Sequence, residues 1–411
     1  MAENKISFLK QEIEKEIEKG DVASIIKLVD LALEYAFLSR TSDIHIDPES
    51  GKLIMRLRID GVLRDSFVFP KELQPEIIAR IKVLSGLRTD EHQAAQDGRF
   101  RTTIADVGYV DVRVSIVPTY DGENAILRLL SERTKIIALE DLDLNESDLS
   151  RLKKAIRRPY GMILATGPTG SGKTTTLYTV IRALNTKEVS ILTIEDPIEY
   201  AIGGIDQIQV NPRTGLTFAN GLRSILRQDP NIIMVGEIRD EETAGIAVNA
   251  ALTGHLLLST LHTNDAATAF PRLTDMKIEP FLITSTVNIV IGQRLVRRIC
   301  PNCRVSVKIN HIEFENLFSS LTLNVLKNHR EFFKGNGCEQ CSNSGYYGRL
   351  GIYEVLEIDD NIRDAIMQRK NSSIIKNIAI KNGMTVMLED GFKKAVEGKT
   401  TIEEILRVIH E

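Results

Sequence analysis

The sequence Met162-Ile-Leu-Ala-Thr-Gly-Pro-Thr-Gly-Ser-Gly-Lys-Thr-Thr-Thr-Leu-Tyr-Thr179 carries the strongest local pattern in the chain. The apolar run Met162–Ala165 predicts a buried strand, Gly167–Gly172 a loop, and Lys173–Leu184 a helix that begins directly after that loop. A glycine-rich loop between a buried strand and a helix N-terminus is typical of a phosphate-binding site. This stretch therefore predicts a nucleotide-binding α/β core.

The loop fits the spacing G-x-x-x-x-G-K-[ST]. Its glycines allow backbone N–H groups to face phosphate oxygens, and the helix N-terminus adds the positive end of its dipole. Lys173 is expected to reach the β- and γ-phosphates, and the Thr174 hydroxyl is expected to bind Mg²⁺. We predict ATP or GTP as the ligand, held by Gly167, Pro168, Thr169, Gly170, Ser171, Gly172, Lys173, Thr174 and Thr175.

The composition limits the class of protein. A chain of 411 residues is expected to form two or three domains. No apolar run approaches the ~20 residues of a membrane span, and residues 1–20 alternate Lys and Glu without a signal-peptide core. These features predict a cytosolic protein. The net charge of −4 gives no general attraction to nucleic acid.

Changes in hydrophobic period divide the chain into segments. Alternating residues Leu53–Ile59, followed by the turn signal Asp60-Gly61, predict strands in an N-terminal α+β domain. Alternation of strands and helices from residue 149 predicts a parallel sheet. The predicted segments are 1–20, a charged helix that rests on its own domain or docks to a partner; 21–130, the α+β domain; 131–148, a linker; 149–299, the nucleotide core; 300–348, a tetracysteine subdomain; and 349–411, a helical region.

Two apolar strands of the predicted core end in acidic residues. Glu195 follows Ile191–Ile194, and Glu237 follows Ile232–Val235 after one glycine. Carboxyl ends of parallel strands meet at the phosphate edge of the sheet, so these carboxylates are expected to support Mg²⁺ or polarise the attacking water. Since Gly236 occupies the position where an aspartate usually follows such a strand, we assign Glu237 as the water-activating base and Glu195 as support for Mg²⁺.

Two histidines and four cysteines are further candidates. His255 and His262 bracket the strand Leu256–Thr260, and the pattern leaves open whether they are structural or contact nucleotide. The cysteines form two C-x-x-C pairs, each able to supply one edge of a tetrahedral zinc site. Free or redox-active thiols remain the alternative, because the intervening segment is longer than in common zinc ribbons. The predicted zinc ligands are Cys300, Cys303, Cys338 and Cys341.

Several motifs beside the phosphate loop resemble those of the type II secretion and type IV pilus-assembly ATPases. They are Thr41-Ser-Asp-Ile-His45, Arg58-Ile-Asp-Gly61, Gln96-Asp-Gly-Arg99, Glu195-Asp-Pro-Ile-Glu199, Leu222-Arg-Ser-Ile-Leu-Arg-Gln-Asp-Pro230, Val235-Gly-Glu-Ile-Arg-Asp240, Gly254-His255, Thr260-Leu-His-Thr-Asn264, Gly383-Met384 and Glu389-Asp-Gly391. The resemblance covers residues 21–411. It implies an α/β fold in which a RecA-like P-loop core follows a smaller α+β, PAS-like domain, with a tetracysteine zinc insertion and a helical C-terminal region.

The resemblance also implies a function. Such proteins are hexameric motors at the cytoplasmic face of the inner membrane, where ATP hydrolysis moves a platform protein that feeds pilin-like subunits into a fibre. It implies roles near the phosphates for Arg113 and Arg128, which match N-domain arginines, and for Arg223, Arg227, His255 and His262. The tetracysteine insertion is a feature of assembly members more than of retraction members. Longer members carry an additional N-terminal recruitment domain. In this sequence, only about twenty residues occupy the place of that domain.

Other readings of the sequence remain open. A pilus-retraction, DNA-uptake or conjugation ATPase of the same superfamily would show the same core motifs. A zinc-ribbon ATPase that binds nucleic acid would use the basic residues Arg297, Arg298, Arg304 and Arg349. Against this last reading, the sequence pI is about 6.1. Binding to nucleic acid is therefore not expected, and the predicted partners are five further copies of the chain and a membrane platform protein.

Overall fold

The computed structural model describes residues 2–105, 107–131, 138–308 and 331–410. Parts of the predicted linker (132–137) and of the predicted tetracysteine subdomain (309–330) lie outside the described residues. The chain divides into two compact units, Met1–Lys135 and Ile136–Glu411. Among the described residues, no helix is both long enough and apolar enough to cross a membrane.

The first unit is built on a six-stranded antiparallel sheet with the order β3-β2-β1-β6-β5-β4. Side chains alternate along each strand, so that one face is apolar and the other is polar. The turn at Asp60-Gly61, where both residues have positive φ, joins β2 to β3 as predicted. The strands are β1 Thr41–Glu49, β2 Lys52–Ile59, β3 Val62–Pro70, β4 Gln96–Ile104, β5 Gly108–Thr119 and β6 Gly122–Ser131.

Three helices contribute to the core of this unit, α1 Ala2–Glu18, α2 Ile25–Leu38 and α3 Gln74–Ser85. Apolar residues of α2 and α3 join those of the strands in one hydrophobic cluster. Helix α1 buries Leu9 and Ile13 despite its charged sequence. The apolar stripe of α1 is therefore used, at least in part, for packing within its own unit.

The second unit contains a seven-stranded sheet with the order β15-β12-β7-β11-β10-β8-β9. Its central strands are parallel, and only the edge strand β15 is antiparallel to its neighbour. This confirms the predicted α/β fold class with a parallel core. The strands are β7 Gly161–Thr166, β8 Ile191–Glu195, β9 Asp206–Gln209, β10 Ile232–Val235, β11 Leu256–Leu261, β12 Val287–Ile299 and β15 Tyr346–Glu357; β13 Arg304–Lys308 and β14 Glu331–Gly335 form a separate ribbon.

Helices cover this sheet and continue to the C-terminus. Their bounds within the core lie close to the predicted ones, whereas strands β12 and β15 were not predicted from the sequence. The reason is that each strand contains a long continuous buried stretch, Val287–Arg294 in β12 and Leu350–Leu356 in β15, which shows no alternation of buried and exposed residues. The helices are α4 Glu146–Ile156, α5 Lys173–Leu184, α6 Phe218–Ile225, α7 Glu241–Leu252, α8 Ala269–Asp275, α9 Pro280–Thr286, α10 Asp360–Met367, α11 Ser372–Lys381, α12 Met387–Val396 and α13 Ile402–His410.

A buried ion pair joins helix α12 to strand β15. Lys394 Nζ donates to Asp390 Oδ2 at 2.6 Å and to the carbonyl oxygen of Gly351 at 2.8 Å. The same carboxylate oxygen accepts the backbone N–H of Tyr353 at 2.9 Å. Asp390 is 1% exposed and Lys394 4% exposed, so each charge depends on the other for compensation.

We predict that Asp390→Ala lowers the stability of this unit by about 3–5 kcal/mol, because it leaves the Lys394 ammonium buried without its counter-ion. The measurement is the thermal unfolding midpoint of the purified chain. The matched control is Glu389→Ala, which removes a partly exposed i,i+4 pair with Lys393 and should change stability by less than about 1 kcal/mol. Equal midpoints for the two variants would contradict the prediction.

Candidate functional site

The phosphate loop lies where strand β7 ends and helix α5 begins. Every residue of β7 is buried, and α5 starts at Lys173, directly after the loop. Gly167, Gly170 and Gly172 all have positive φ, which L side chains rarely adopt. A Cβ atom on Gly167 would also lie only 2.4 Å from the carbonyl oxygen of Gln293. The loop conformation therefore requires the glycines that the sequence places there.

Gln293, on strand β12, holds the loop from the side. Its Nε2 donates to the carbonyl oxygen of Ser171 at 2.6 Å, and its Oε1 accepts from the Thr176 hydroxyl at 2.8 Å. Gln293 is buried, so both hydrogen bonds are shielded from water. One side chain thereby ties the loop to the first turn of α5. Sequence reasoning missed this residue because β12 was not recognised as a neighbour of β7.

Three side chains of the loop have the positions that a phosphate ligand requires. Lys173 is buried, and its Nζ donates to the carbonyl oxygens of Gly167 at 2.8 Å and Pro168 at 3.0 Å. The Ser171 hydroxyl is buried and has no hydrogen-bond partner among the described residues. Within the same part of the chain, no hydrogen bond involves the Thr174 hydroxyl, which is the group suited to Mg²⁺. These groups fit a magnesium-bound nucleotide.

Glu237 lies at the same edge of the sheet, just beyond strand β10. Its Oε2 is 2.9 Å from His262 Nε2, and its Oε1 is 2.5 Å from Arg239 Nη2. Burial lowers the pKa of Lys173, and the nearby charge of Glu237 partly opposes that effect. The structure therefore brings Glu237, His262 and Lys173 together. Arg239 was not assigned from the sequence, although it lies within the motif that contains Glu237.

Glu195 ends strand β8 inside a network of neutral donors. Its Oε2 accepts from the Tyr178 hydroxyl, and its Oε1 accepts from Thr193 Oγ1 at 2.6 Å and Gln207 Nε2 at 3.1 Å. Burial, followed by the charge of Glu195, raises the pKa of Tyr178. Tyr178 belongs to α5, so this carboxylate connects the helix of the phosphate loop to β8. Sequence reasoning missed Tyr178, since a buried tyrosine on a helix is usually part of the core.

The structure corrects the placement of His255. Strand β11 runs parallel to β7, with Leu256 beside Gly161 and Leu261 beside Thr166. His262 therefore lies at the phosphate edge, whereas His255 lies at the opposite edge. Seven residues of extended chain separate them by about 23 Å. The two histidines of one chain are therefore too far apart to contact the same phosphate group. The Nδ1 atom of His255 lies 2.9 Å from the carbonyl oxygen of Ala250.

Arg223 lies in the last turn of helix α6, and Arg227 follows the end of that helix by two residues. Arg223 Nη2 donates to Glu242 Oε1 at 2.7 Å, and Arg227 Nη1 donates to the carbonyl oxygen of Arg223 at 3.0 Å. Both side chains remain at the surface of the unit. Neither donates to the phosphate loop or to Glu237 among the hydrogen bonds of the described residues.

Arg113 and Arg128 belong to the first unit. They lie directly opposite each other on strands β5 and β6, on the face of the sheet away from the buried residues Val112, Val114 and Leu127. The predicted projection of both guanidiniums from one surface is consistent with this register. Arg128 Nε donates to Asp43 Oδ1 at 2.9 Å.

The four cysteines form one cluster. All four Sγ atoms lie within 4.8 Å of one another, and three of the separations are 3.6, 3.7 and 3.8 Å. Zinc–sulfur bonds of about 2.3 Å in a tetrahedron place sulfur atoms about 3.8 Å apart. Cys300 follows β12 and Cys341 precedes β15, so the antiparallel pairing of these strands unites the two pairs.

The thiols of this cluster differ in their ionisation. Burial opposes ionisation of Cys341, but backbone N–H groups of Cys338 and Gly345 donate to its sulfur and lower its pKa to about 6. A thiolate is the form that binds a metal. The separations of the four sulfur atoms fit a structural zinc ion held by four thiolates.

Comparison with known proteins places this chain beside secretion and pilus ATPases. It is 46% identical over 402 residues to the type IV pilus assembly ATPase PilB of Thermus thermophilus. The aligned region covers 97% of this chain and 45% of PilB. It is 44% identical over 404 residues to the type II secretion system protein E of Pseudomonas aeruginosa, covering 97% of this chain and 78% of that protein. The chain thus spans less than half of one relative and most of the other.

Solved structures share the fold. The Legionella pneumophila ATPase DotB superposes with a TM-score of 0.66 at 24% identity, covering 92% of this chain and 94% of DotB. The pilus retraction motor PilT, solved with bound ADP, superposes with a TM-score of 0.60 at 26% identity, covering 92% and 95%. The family model described as Type II/IV secretion system protein matches residues 18–407. This chain therefore belongs to the Type II/IV secretion system protein family, whose members similar to it include ATPases of type II secretion and of type IV pilus assembly.

Proposed function

We propose that this chain is a hexameric motor that hydrolyses ATP to power assembly of a type IV pilus or a type II secretion pseudopilus. The observation that carries the proposal is the position of Glu237, which stands beside the phosphate loop and is held by His262 and Arg239. The motor acts on an inner-membrane platform protein from the cytoplasmic side. Its relatives with secretion and pilus-assembly names support this reading.

In this proposal, the phosphate loop binds ATP and Glu237 activates water. Lys173 leaves the carbonyl oxygens of Gly167 and Pro168 and binds the β- and γ-phosphates, and the Thr174 hydroxyl is the group that would hold Mg²⁺. That ion would neutralise charge on the phosphates when bound. Glu237 accepts a hydrogen bond from the attacking water and orients it towards the γ-phosphate. His262 and Arg239 keep the Glu237 carboxylate at this edge of the sheet.

Glu195 has a supporting role in this scheme. Its carboxylate already accepts hydrogen bonds from Tyr178, Thr193 and Gln207. We propose that it fixes the helix that follows the phosphate loop, and through that helix the position of the Mg²⁺-binding Thr174. This keeps its assignment as support for Mg²⁺ without direct contact.

Arginines complete the charge balance. We assign Arg113 and Arg128 to the γ-phosphate, where guanidinium groups neutralise charge that spreads over the phosphoryl oxygens in the transition state. Arg223 and Arg227 serve as a second pair, at the nucleotide of the same subunit or of a neighbour. Because ADP lacks the γ-phosphate, arginines that grip it would couple hydrolysis to movement.

The cysteine cluster adds support for an assembly or secretion role. Four thiolates leave no open position on zinc, so the metal would stabilise the fold and take no part in hydrolysis. The resemblance associates this insertion with assembly members, which favours assembly over retraction. The zinc site is therefore part of the proposed function only as a structural element.

We predict that Lys173→Ala weakens ATP binding and abolishes turnover, whereas Glu237→Gln binds ATP normally and loses turnover by ~10²-fold or more, because only the base is removed. Labelled-ATP binding and phosphate release measure the two steps separately. The control is Glu241→Gln, an exposed carboxylate paired with Lys277. Full turnover in Glu237→Gln would remove the assignment of the base.

The cysteine cluster should contain about one zinc ion per chain. We predict that the double variant Cys338→Ser, Cys341→Ser loses the metal and melts at a lower temperature, because the metal contributes directly to folding. Elemental analysis and thermal unfolding measure these effects. Glu339→Gln, in the same turn, should keep both properties. A double variant with unchanged solubility and melting temperature would argue against a structural metal.

Arg128→Ala should still form hexamers and bind ATP but lose turnover by ~10³-fold, because a charge that stabilises the transition state is missing. The control is Arg56→Ala, whose guanidinium is paired with Asp47 on the same face. Unchanged hydrolysis in Arg128→Ala would show that Arg128 is an ordinary solvated arginine with no role in turnover. Mixing Arg128→Ala with Glu237→Gln subunits tests sharing, since activity returns only if the arginine serves a neighbouring subunit.

A further inference from the structure

A row of charged residues crosses five strands of the N-terminal sheet. Strand pairing places Arg99 opposite Arg113, Arg113 opposite Arg128, Arg128 opposite Asp43, and Asp43 opposite Arg58. We call these five residues the arginine row. Their neighbours along the strands are buried in the core, so the row lies on the opposite face of the sheet; these neighbours include Phe100, Val112, Leu127, Ile44 and Leu57.

The arginine row concentrates positive charge. Four arginines against one aspartate leave three positive charges in excess, and three of the arginines are consecutive neighbours on β4, β5 and β6. Adjacent strands are only about 4.8 Å apart, and like charges placed directly opposite each other destabilise a sheet. Three arginines in adjacent register positions therefore carry a cost for folding, which a bound anion would offset. It is the arrangement expected where an anion binds.

Two aspartates on the same face, Asp111 and Asp47, are already engaged, whereas Asp97, two residues before Arg99 on β4, is exposed. Asp111 accepts two hydrogen bonds from Arg101, both at 2.8 Å, and Asp47 accepts from Arg56 Nε at 2.6 Å. The Arg101 guanidinium, followed by the charges of Arg101, Arg99 and Arg113, lowers the pKa of Asp111 against the effect of burial. Asp111 therefore offsets part of the charge, but its two oxygens are bound to Arg101.

Asp43 is the buried carboxylate of the arginine row. It is buried, and it accepts from Arg128 Nε at 2.9 Å and from the Ser42 hydroxyl at 2.9 Å, with Arg58 Nε at 3.5 Å. The Arg128 side chain is 57% exposed, and its hydrogen bond to Asp43 uses Nε. Among the hydrogen bonds of the described residues, Arg128 uses only Nε, so its two terminal nitrogens, which form the fork suited to phosphate, can bind another partner.

We propose that Asp43 is a positioning residue that presents Arg128 to the nucleotide, and that Arg99 supplies a third guanidinium to the same phosphate beside Arg113 and Arg128. The proposal rests on the proposed function, since the anion is the terminal phosphate of ATP. Asp43 aligns the Arg128 fork by holding its Nε. Arg99 broadens the positive surface on the other side of Arg113.

The test is the steady-state ATPase activity of the full chain with single substitutions. Asp43→Asn should lower kcat by ~10- to 100-fold with KM changed by less than about twofold, because a small misplacement of Arg128 affects the transition state more than binding. Arg99→Ala should lower kcat by ~10-fold with KM similarly unchanged. All variants should remain folded at the assay temperature, with melting temperatures well above it.

Two matched controls lie on the same strands and the same face. Asp47→Asn removes the charge from an aspartate that also binds an arginine Nε and lies four residues from Asp43 along β1. Arg56→Ala removes an arginine of β2 whose Nε is bound to Asp47. Both controls should keep kcat within about twofold of the unmodified chain. If they lose as much activity as Asp43→Asn and Arg99→Ala, the proposal is overturned.

A double variant separates positioning from general damage to the fold. If Asp43 acts through Arg128, Asp43→Asn should lower kcat no further in a chain that already carries Arg128→Ala. An equal further loss in that background would show that Asp43 acts structurally and would overturn its role. If Arg128→Ala loses turnover while Asp43→Asn and Arg99→Ala match the controls, this proposal fails alone. If the full chain shows no ATPase activity, the proposed function fails with it.

Discussion

The hydrogen bonds between the phosphate loop and strand β12 are the contacts on which the site depends. The side chain of Gln293 binds the carbonyl oxygen of Ser171 and the hydroxyl of Thr176. The main-chain carbonyl oxygen of Gln293 leaves no room for a side chain on Gly167. The loop therefore has little freedom to rearrange. A rigid loop keeps its backbone N–H groups aimed at one region, which lowers the ordering cost of binding phosphate. The parallel register of β7 and β11 then brings His262 to the same edge, and Glu237 follows β10 there.

The same strand explains the cysteine cluster. Strand β12 lies between β7 and β15, so one of its neighbours leads to the phosphate loop and its own C-terminal end leads to Cys300. Its antiparallel partner β15 begins just after Cys341, and this pairing brings together cysteines that are far apart in sequence. The phosphate loop and the candidate zinc site are therefore built on one strand that is buried along most of its length. Mutations that disturb β12 are expected to affect both.

The two units contribute different kinds of chemistry. The second unit holds a carboxylate and a lysine beside a glycine loop, which suits binding and activation of a phosphate ester. The first unit offers a sheet face with an excess of guanidinium groups, which suits neutralisation of charge. Neither chemistry needs the other for folding, because each unit has its own hydrophobic cluster.

The sequence by itself determined the phosphate loop, the parallel core and the acidic residues that follow β8 and β10. It also determined the two C-x-x-C motifs. These are local features, because spacing and turn chemistry act over a few residues. Three other features depended on strand order and register. They are the separation of His255 from His262 by the length of β11, the hydrogen bond between Glu195 and Tyr178, and the hydrogen bonds of Gln293 to the phosphate loop and helix α5. Only the tertiary structure decided them, since no local pattern states which strands are neighbours. The arginine row has the same origin, because its members come from five strands that are distant in sequence and meet only through pairing of the sheet.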